Sequence, residues 1–270
     1  MDLFRTRDHV PDFDAYVEVY HKRSAATRAR CRAELDVAYG PGELERLDLF
    51  FPEGEVRAAP VHLFIHGGYW RMFDKSDFSF VADTVVAAGG IAAILNYSLM
   101  PAVRMEKIVR QVRAAAAWLC ENAAGFGGDP EKFTVSGHSA GGHLCAFLLD
   151  ADSPVRPKAT LMLSGIYELE PLQHSFLQPE IGITDEEVRR FSPLRLAYRP
   201  IGPAMLMAGV HETEPFHEQG QAMAETLQRD GLEAEFQSIP GANHMSIVLD
   251  LGNAETAPGR ALAQMVKRGA

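Results

Sequence analysis

The sequence predicts one α/β domain over residues 1–270: a mostly parallel central sheet with helices on both faces and a small cap insertion at 168–198. Three observations predict it. After Pro60, short apolar runs alternate with longer amphipathic stretches, the pattern of parallel strands joined by crossover helices. The alternation breaks once, between Glu168 and Tyr198, where Pro171, Pro179 and Pro193 accompany two short helix-like pieces. An insertion of this kind after a sheet strand normally covers a site at the carboxyl end of the sheet. Hydrophobic residues at 47% and charged residues at 23% match ordinary globular composition, which excludes a disordered chain, a collagen-like repeat and a disulfide scaffold.

From Asp12 to Arg32 the pattern is polar, with Phe13, Tyr16, Val17 and Tyr20 at helical spacing, and it is read as a helix packed onto the core. Ala33 to Tyr39 and Glu45 to Phe51, separated by Gly40-Pro41-Gly42, suit an antiparallel hairpin at the sheet's edge. Strands are then predicted at Val61 to Ile65, Gly90 to Leu95, Lys132 to Ser136, Ala159 to Leu163, Ala204 to Ala208 and Ala234 to Ile239. Helices are predicted at Phe78 to Ala88, Met105 to Asn122, Ala140 to Asp150, Phe216 to Asp230 and Ala254 to Lys267.

A formal net charge of -10 would repel a phosphate backbone, so no nucleic-acid partner is expected. No apolar run approaches the roughly 20 residues that a bilayer requires, and Asp2, Arg5, Arg7 and Asp8 stand where a secretory signal would need an apolar stretch. The expectation is a cytoplasmic protein with no membrane partner. Cys31, Cys120 and Cys145 form no C-x-x-C pair and are read as reduced thiols, Cys145 as a small buried hydrophobe.

The chemistry is carried first by Lys132-Phe133-Thr134-Val135-Ser136 running into Gly137-His138-Ser139-Ala140-Gly141 and then into an apolar helical run. This is strand, G-x-S-x-G, helix. A serine on so sharp a turn is held in a strained conformation with its hydroxyl exposed, and glycine neighbours let strand and helix pass closely. Ser139 is therefore the candidate nucleophile of an α/β-hydrolase fold. A second element, His66-Gly67-Gly68-Tyr69-Trp70, follows the strand Val61 to Ile65. Acyl transfer needs backbone N–H groups about 3 Å from the developing oxyanion, and glycines permit that approach. In this fold the loop works with the N–H after the nucleophile, here that of Ala140.

Ten histidines compete for the role of general base. His244 lies in Pro240-Gly241-Ala242-Asn243-His244-Met245, after the last predicted strand, which fits the chain order of serine, acid, histidine. His211 also follows a strand and is read as structural or substrate-facing. Gly209-Val210-His211-Glu212-Thr213-Glu214 offers two carboxylates for the acid. Glu212 is preferred as nearer the strand end, while Glu214 precedes Pro215 and is read as opening the next helix.

These motifs resemble those of kynurenine formamidases (arylformamidases), a branch close to the hormone-sensitive-lipase-like esterases. The resemblance runs from about Leu35 to His244 and rests on three segments: His66-Gly67-Gly68-Tyr69-Trp70, where the family has HGGxW; Gly137-His138-Ser139-Ala140-Gly141; and Val210-His211-Glu212-Thr213-Glu214-Pro215-Phe216. It implies an oxyanion hole with the N–H groups of Gly68 and Tyr69. The family has aspartate at the position of Glu212, and the cap matches no family pattern.

The function expected is hydrolysis of a small acyl amide or ester, with an aryl formamide such as N-formylkynurenine as the implied substrate, through Ser139, His244 and Glu212. Tyr69 and Trp70 would wall the pocket for an aromatic leaving group. No cofactor or metal is expected; the partners expected are a small-molecule substrate and, for assembly, a second copy in a homodimer. Three alternatives compete: a general short-chain carboxylesterase, a catalytically silent ligand binder of the same fold, and a metal-dependent hydrolase built on His62, His66 and a carboxylate.

Overall fold

The apolar runs become the strands of one eight-stranded sheet in a computed structural model of the protein, which describes residues 2–269. Strand β1 (Ala33–Ala38) lies at one edge and pairs antiparallel with β2 (Arg46–Phe50), which pairs antiparallel with β4 (Ile91–Leu95). From there β3 (Ala59–Ile65), β5 (Gly128–His138), β6 (Thr160–Leu163), β7 (Ala204–Gly209) and β8 (Ala234–Ile239) continue in parallel, in the order β1-β2-β4-β3-β5-β6-β7-β8.

Side chains alternate along the central strands because successive Cβ atoms point to opposite faces. On β4, Ile91, Ala93 and Leu95 join the core layer beneath helices α3 (Met105–Asn122), α4 (Ala140–Ala146) and α7 (Glu214–Arg229). Ala92 and Ile94 join the opposite layer with α1 (Phe13–Arg30), α2 (Ala82–Ala87), α8 (Ser246–Asp250) and α9 (Ala257–Gly269). Both faces are thus covered, as the near-continuous apolar strands require.

Several boundaries differ from the sequence reading, each for a local reason. β5 begins at Gly128 because Gly128 and Asp129 pair with Ala59 and Pro60 before a register shift. The helix after Ser139 ends at Ala146, short of Asp150: the Phe147 carbonyl accepts from Arg113 Nε at 3.2 Å, and Asp150 bridges to Tyr198. The helix expected at Phe78 to Ala88 is a 3-10 segment (Lys75–Val81) followed by α2. The added helix α8 starts where the Asn243 side chain accepts from the backbone N–H groups of Met245 and Ser246, both at 2.9 Å.

The insertion folds as turns around α5 (Gln178–Ile181) and α6 (Asp185–Phe191). Thr184 caps α6 reciprocally with Glu187, so two otherwise unpaired N–H groups are satisfied. Arg104, immediately before α3, donates to the carbonyl oxygens of Ile181 and Gly182 and pairs with Glu187, which ties the cap to the main body. None of the helices among the described residues is long and apolar enough to cross a membrane.

Candidate active site

Ser139 stands between β5 and α4 at φ 56°, ψ −118°, a conformation that few residues other than glycine adopt. The neighbours explain how it is tolerated. A Cβ on Gly141 would be driven into the carbonyl oxygen of Ile65, and one on Gly137 into that of Gly141. The turn is therefore locked against the end of β3, and the loop that follows β3 is brought beside the serine. A Cβ on Gly67 would stand only 3.1 Å from Cβ of Ser139.

That loop is built from backbone strain and packing. Gly68, Tyr69 and Trp70 have φ of 106°, 50° and 58°. The His66 ring stacks on Tyr97 at 4.3 Å, and the Tyr97 hydroxyl donates to the His66 carbonyl at 2.8 Å. Trp70 is fully buried; its indole N–H donates to His143 Nδ1 at 3.2 Å, and His143 Nε2 donates in turn to the carbonyl of Phe191 in the cap at 2.8 Å. Burial lowers the His143 pKa to about 4, which keeps the ring neutral and Nδ1 free to accept. The N–H groups of Gly68, Tyr69 and Ala140 donate to no protein acceptor among the described residues.

The structure corrects one placement. Trp70 lies behind the loop as an anchor and does not line the cavity at Ser139, whereas Tyr69 does. The indole is held back because its only polar atom is paired with His143, and a free N–H in that core would be costly.

Glu212 and His244 come together from the loops after β7 and β8. The Glu212 side chain is wholly buried, and its Oε2 accepts a hydrogen bond from His244 Nδ1–H at 2.6 Å. Oε1 accepts from Ser164 Oγ and from the backbone N–H of Gly209, each at 2.6 Å. The chain folds back on itself here, with Glu212 N–H donating to Gly209 O at 2.9 Å, and this tight turn accommodates a glutamate in place of a shorter side chain. Glu214 is exposed in the first turn of α7, with Pro215 beside it, and does not approach His244.

The His244 loop has its own clamps. His138, next to Ser139, donates from Nε2 to the His244 carbonyl at 2.9 Å, and burial, with repulsion from His244, holds its pKa well below the ordinary imidazole value. Tyr20 from α1 donates to the Met245 carbonyl at 2.6 Å. Neither Ser164 nor His138 was singled out by the sequence reading; His138 carried a signal, since it occupies the variable position inside G-x-S-x-G.

Ser139 and His244 line one cavity of about 30 Å³ together with Thr6, Gly67, Gly68, Tyr69, Phe73 and His138. No hydrogen bond joins Ser139 to His244 among the described residues. Bonds between nucleophile and base are often long in the empty site and tighten when substrate binds. The remaining histidines lie elsewhere: His62 is bonded through both ring nitrogens to Thr134 and Ser136, and His211 is exposed, with its N–H on Ala242 O. Cys145 is fully buried, and burial raises its thiol pKa.

Comparison with known proteins follows the same lines. The model of the prolyl oligopeptidase family matches residues 105–263, more than half of the chain, and that of BD-FAE matches 47–152. The chain is 28% identical to a kynurenine formamidase of Danio rerio, over 88% of this chain and 83% of that one. It is 27% identical to an isoprenylcysteine alpha-carbonyl methylesterase of Arabidopsis thaliana, over 79% of this chain and 56% of the other. Among solved structures, a protein from Silicibacter sp. TM1040, provisionally assigned as a thioesterase, superposes with a TM-score of 0.86 at 25% identity, covering 98% of this chain and 97% of that one.

Proposed function

We propose that this chain, which belongs to the prolyl oligopeptidase family and is an α/β-hydrolase acting on esters or amides, uses Ser139 to cleave a compact acyl group from an aryl amine. The observation that carries the reading is the wiring of His244: one carboxylate oxygen of Glu212 holds Nδ1, the other is fixed by Ser164 and Gly209, and the imidazole shares its cavity with a strained serine.

In this mechanism Nδ1–H stays on Glu212, so Nε2 keeps a lone pair and takes the Ser139 proton as Oγ attacks the acyl carbon. The C=O electron pair moves onto oxygen, where the free N–H groups of Gly68, Tyr69 and Ala140 receive it. Collapse expels the amine, which takes the proton from His244. Water then repeats the sequence on the acyl-enzyme and releases the acid. Glu212 orients the imidazole and stabilises the imidazolium without taking the proton.

The small cavity and the wall provided by Tyr69 favour a formyl group, the acyl group of the substrate named for the kynurenine formamidases. The test compares formyl and butyryl on the same aryl amine. Since one methylene discriminates by about 10 to 200-fold, kcat/KM should favour formyl by at least that range. Equal values, or a preference for butyryl, would leave a general short-chain carboxylesterase, the reading that the methylesterase relatives favour.

A further inference from the structure

Beside the cavity at Ser139 lies a second cavity of about 10 Å³, lined by Thr6, His9, Val10, His211, Thr213 and Phe216 together with Glu212 and His244. Thr6 and His244 border both spaces, while Gly68 and Tyr69 border only the first. At roughly 10 to 15 Å³ per water by this measure, the first cavity has room for an acyl end and the second for no organic group. An aromatic ring fits neither.

We propose that the second cavity is the closed form of the leaving-group subsite, that Thr6 is the residue that sets its width, and that residues 2–10 shift to admit a planar aromatic group between Phe216 and the strap they form. The inference rests on the roles given above to Ser139 and His244. In that chemistry the leaving group collects its proton from His244, so it must lie on the His244 side, away from the oxyanion amides. The space beside Thr6 and His244 meets that condition. Its walls suit a ring: Phe216 is tilted against His244 at 4.6 Å, Phe4 packs edge-on to Phe216 at 6.3 Å, and His9 and His211 offer polar atoms at the rim.

The strap is held in a way that permits movement. Its hydrogen bonds to the cap, to the loop after β7 and to the loop after β3 are made by residues 2–4: Asp2 Oδ2 accepts from Phe176 N–H in the cap at 2.5 Å, Leu3 O accepts from Thr213 Oγ1 at 2.6 Å, and Phe4 O accepts from the Tyr69 hydroxyl, while Arg5 lies over the Phe176 ring at 5.7 Å. Beyond them, Thr6 O accepts from the N–H groups of His9 and Val10, so residues 6–10 form one turn, tied to α1 by the exposed Arg7–Asp14 pair and seated on the core at Val10. Segments pinned by a few peripheral hydrogen bonds open at low cost compared with core elements.

The experiment compares 2-naphthyl formate with methyl formate, two esters that share an acyl group and differ in leaving-group width. The ratio of their kcat/KM values is measured for the wild type, Thr6→Ala, Thr6→Val and Asp2→Ala. Thr6→Ala should raise the naphthyl-to-methyl ratio about tenfold, the effect of one or two heavy atoms in a pocket. Thr6→Val, of equal volume, should keep the wild-type ratio. Asp2→Ala, which lies outside both cavities, should raise the ratio by loosening the strap, and it keeps the test alive if Thr6→Ala fails to fold. A ratio within twofold of wild type in the folded variants, or one that moves as far in Thr6→Val as in Thr6→Ala, overturns the subsite. A wild type that a small fluorophosphonate labels at Ser139 but whose ratio ignores the strap overturns this inference alone; a wild type unlabelled and inactive on both esters overturns the Ser139 reading and this one with it.

Discussion

The His244 loop and the loop after β3 meet at one cavity but are held there by different physics. Around His244 the structure is wired by side-chain hydrogen bonds: Glu212 to Nδ1, Ser164 and Gly209 to Glu212, His138 and Tyr20 to the loop carbonyls. Around Gly68 and Tyr69 the backbone sits in left-handed conformations that cost of order 1–3 kcal/mol for each non-glycine residue, and packed rings keep it there. The difference decides which changes each loop tolerates. A wired loop answers to the identity of donors and acceptors, including isosteric swaps that leave the shape intact. A packed, strained loop answers to volume.

The largest effect separating the two falls where volume is most tightly set. Gly141→Ala would place a methyl group on the carbonyl of Ile65, so the junction of β3, β5 and α4 cannot close. The variant should be recovered unfolded or aggregated, as judged by near-ultraviolet circular dichroism; a native spectrum would show that the elbow yields more readily than its packing implies.

On the wired side, Glu212→Gln keeps the shape and changes only the chemistry. The neutral amide can hold His244 in the wrong tautomer, and kcat should fall by about 10³-fold or more, as such replacements do in Ser-His-acid enzymes. Glu214→Gln, on an exposed helix start, should change kcat by less than twofold. A larger loss from Glu214 would transfer the role of acid to it.

The smallest effect lies in the anchor of the loop after β3. Trp70→Phe removes the indole N–H and leaves His143 Nδ1 as a buried acceptor without a partner, which costs about 1–3 kcal/mol of stability. Because Trp70 does not line the cavity, kcat/KM should change by less than tenfold. Urea midpoints and kinetics on the same preparation check both halves; a large kinetic loss without a loss of stability would return Trp70 to the pocket wall.

The same contrast explains what could be read from the sequence. The central strands and the covering of both sheet faces were legible because burial on both faces leaves a run such as Val61 to Ile65 almost wholly apolar. The elbow and the loop after β3 were legible because their strain demands glycine at Gly137, Gly141, Gly67 and Gly68, and such demands write themselves into a motif. Long-range wiring leaves no such mark. Ser164 follows the end of β6 and reaches Glu212 across 48 residues, and Tyr20 reaches Met245 across 225, so nothing in the local pattern announces either. Trp70 was misplaced because an aromatic residue in a glycine loop reads alike whether it faces the cavity or the core; the hydrogen bond to His143 that decides the matter comes from another element. The stop of α4 at Ala146 was hidden for the same reason, since Arg113 on α3 takes the Phe147 carbonyl.

The central claim is that Ser139, in its strained turn, is the nucleophile. Its most direct test is to treat the protein with a small fluorophosphonate, locate the adduct by peptide mass spectrometry, and measure the rate left in Ser139→Ala. The account predicts a single adduct on Ser139, none in the variant, and no more than about a thousandth of the wild-type rate, since what survives loss of a triad member is only the acceleration from binding and the oxyanion hole. An adduct on another residue, or a Ser139→Ala enzyme that keeps a tenth of its activity, would contradict it.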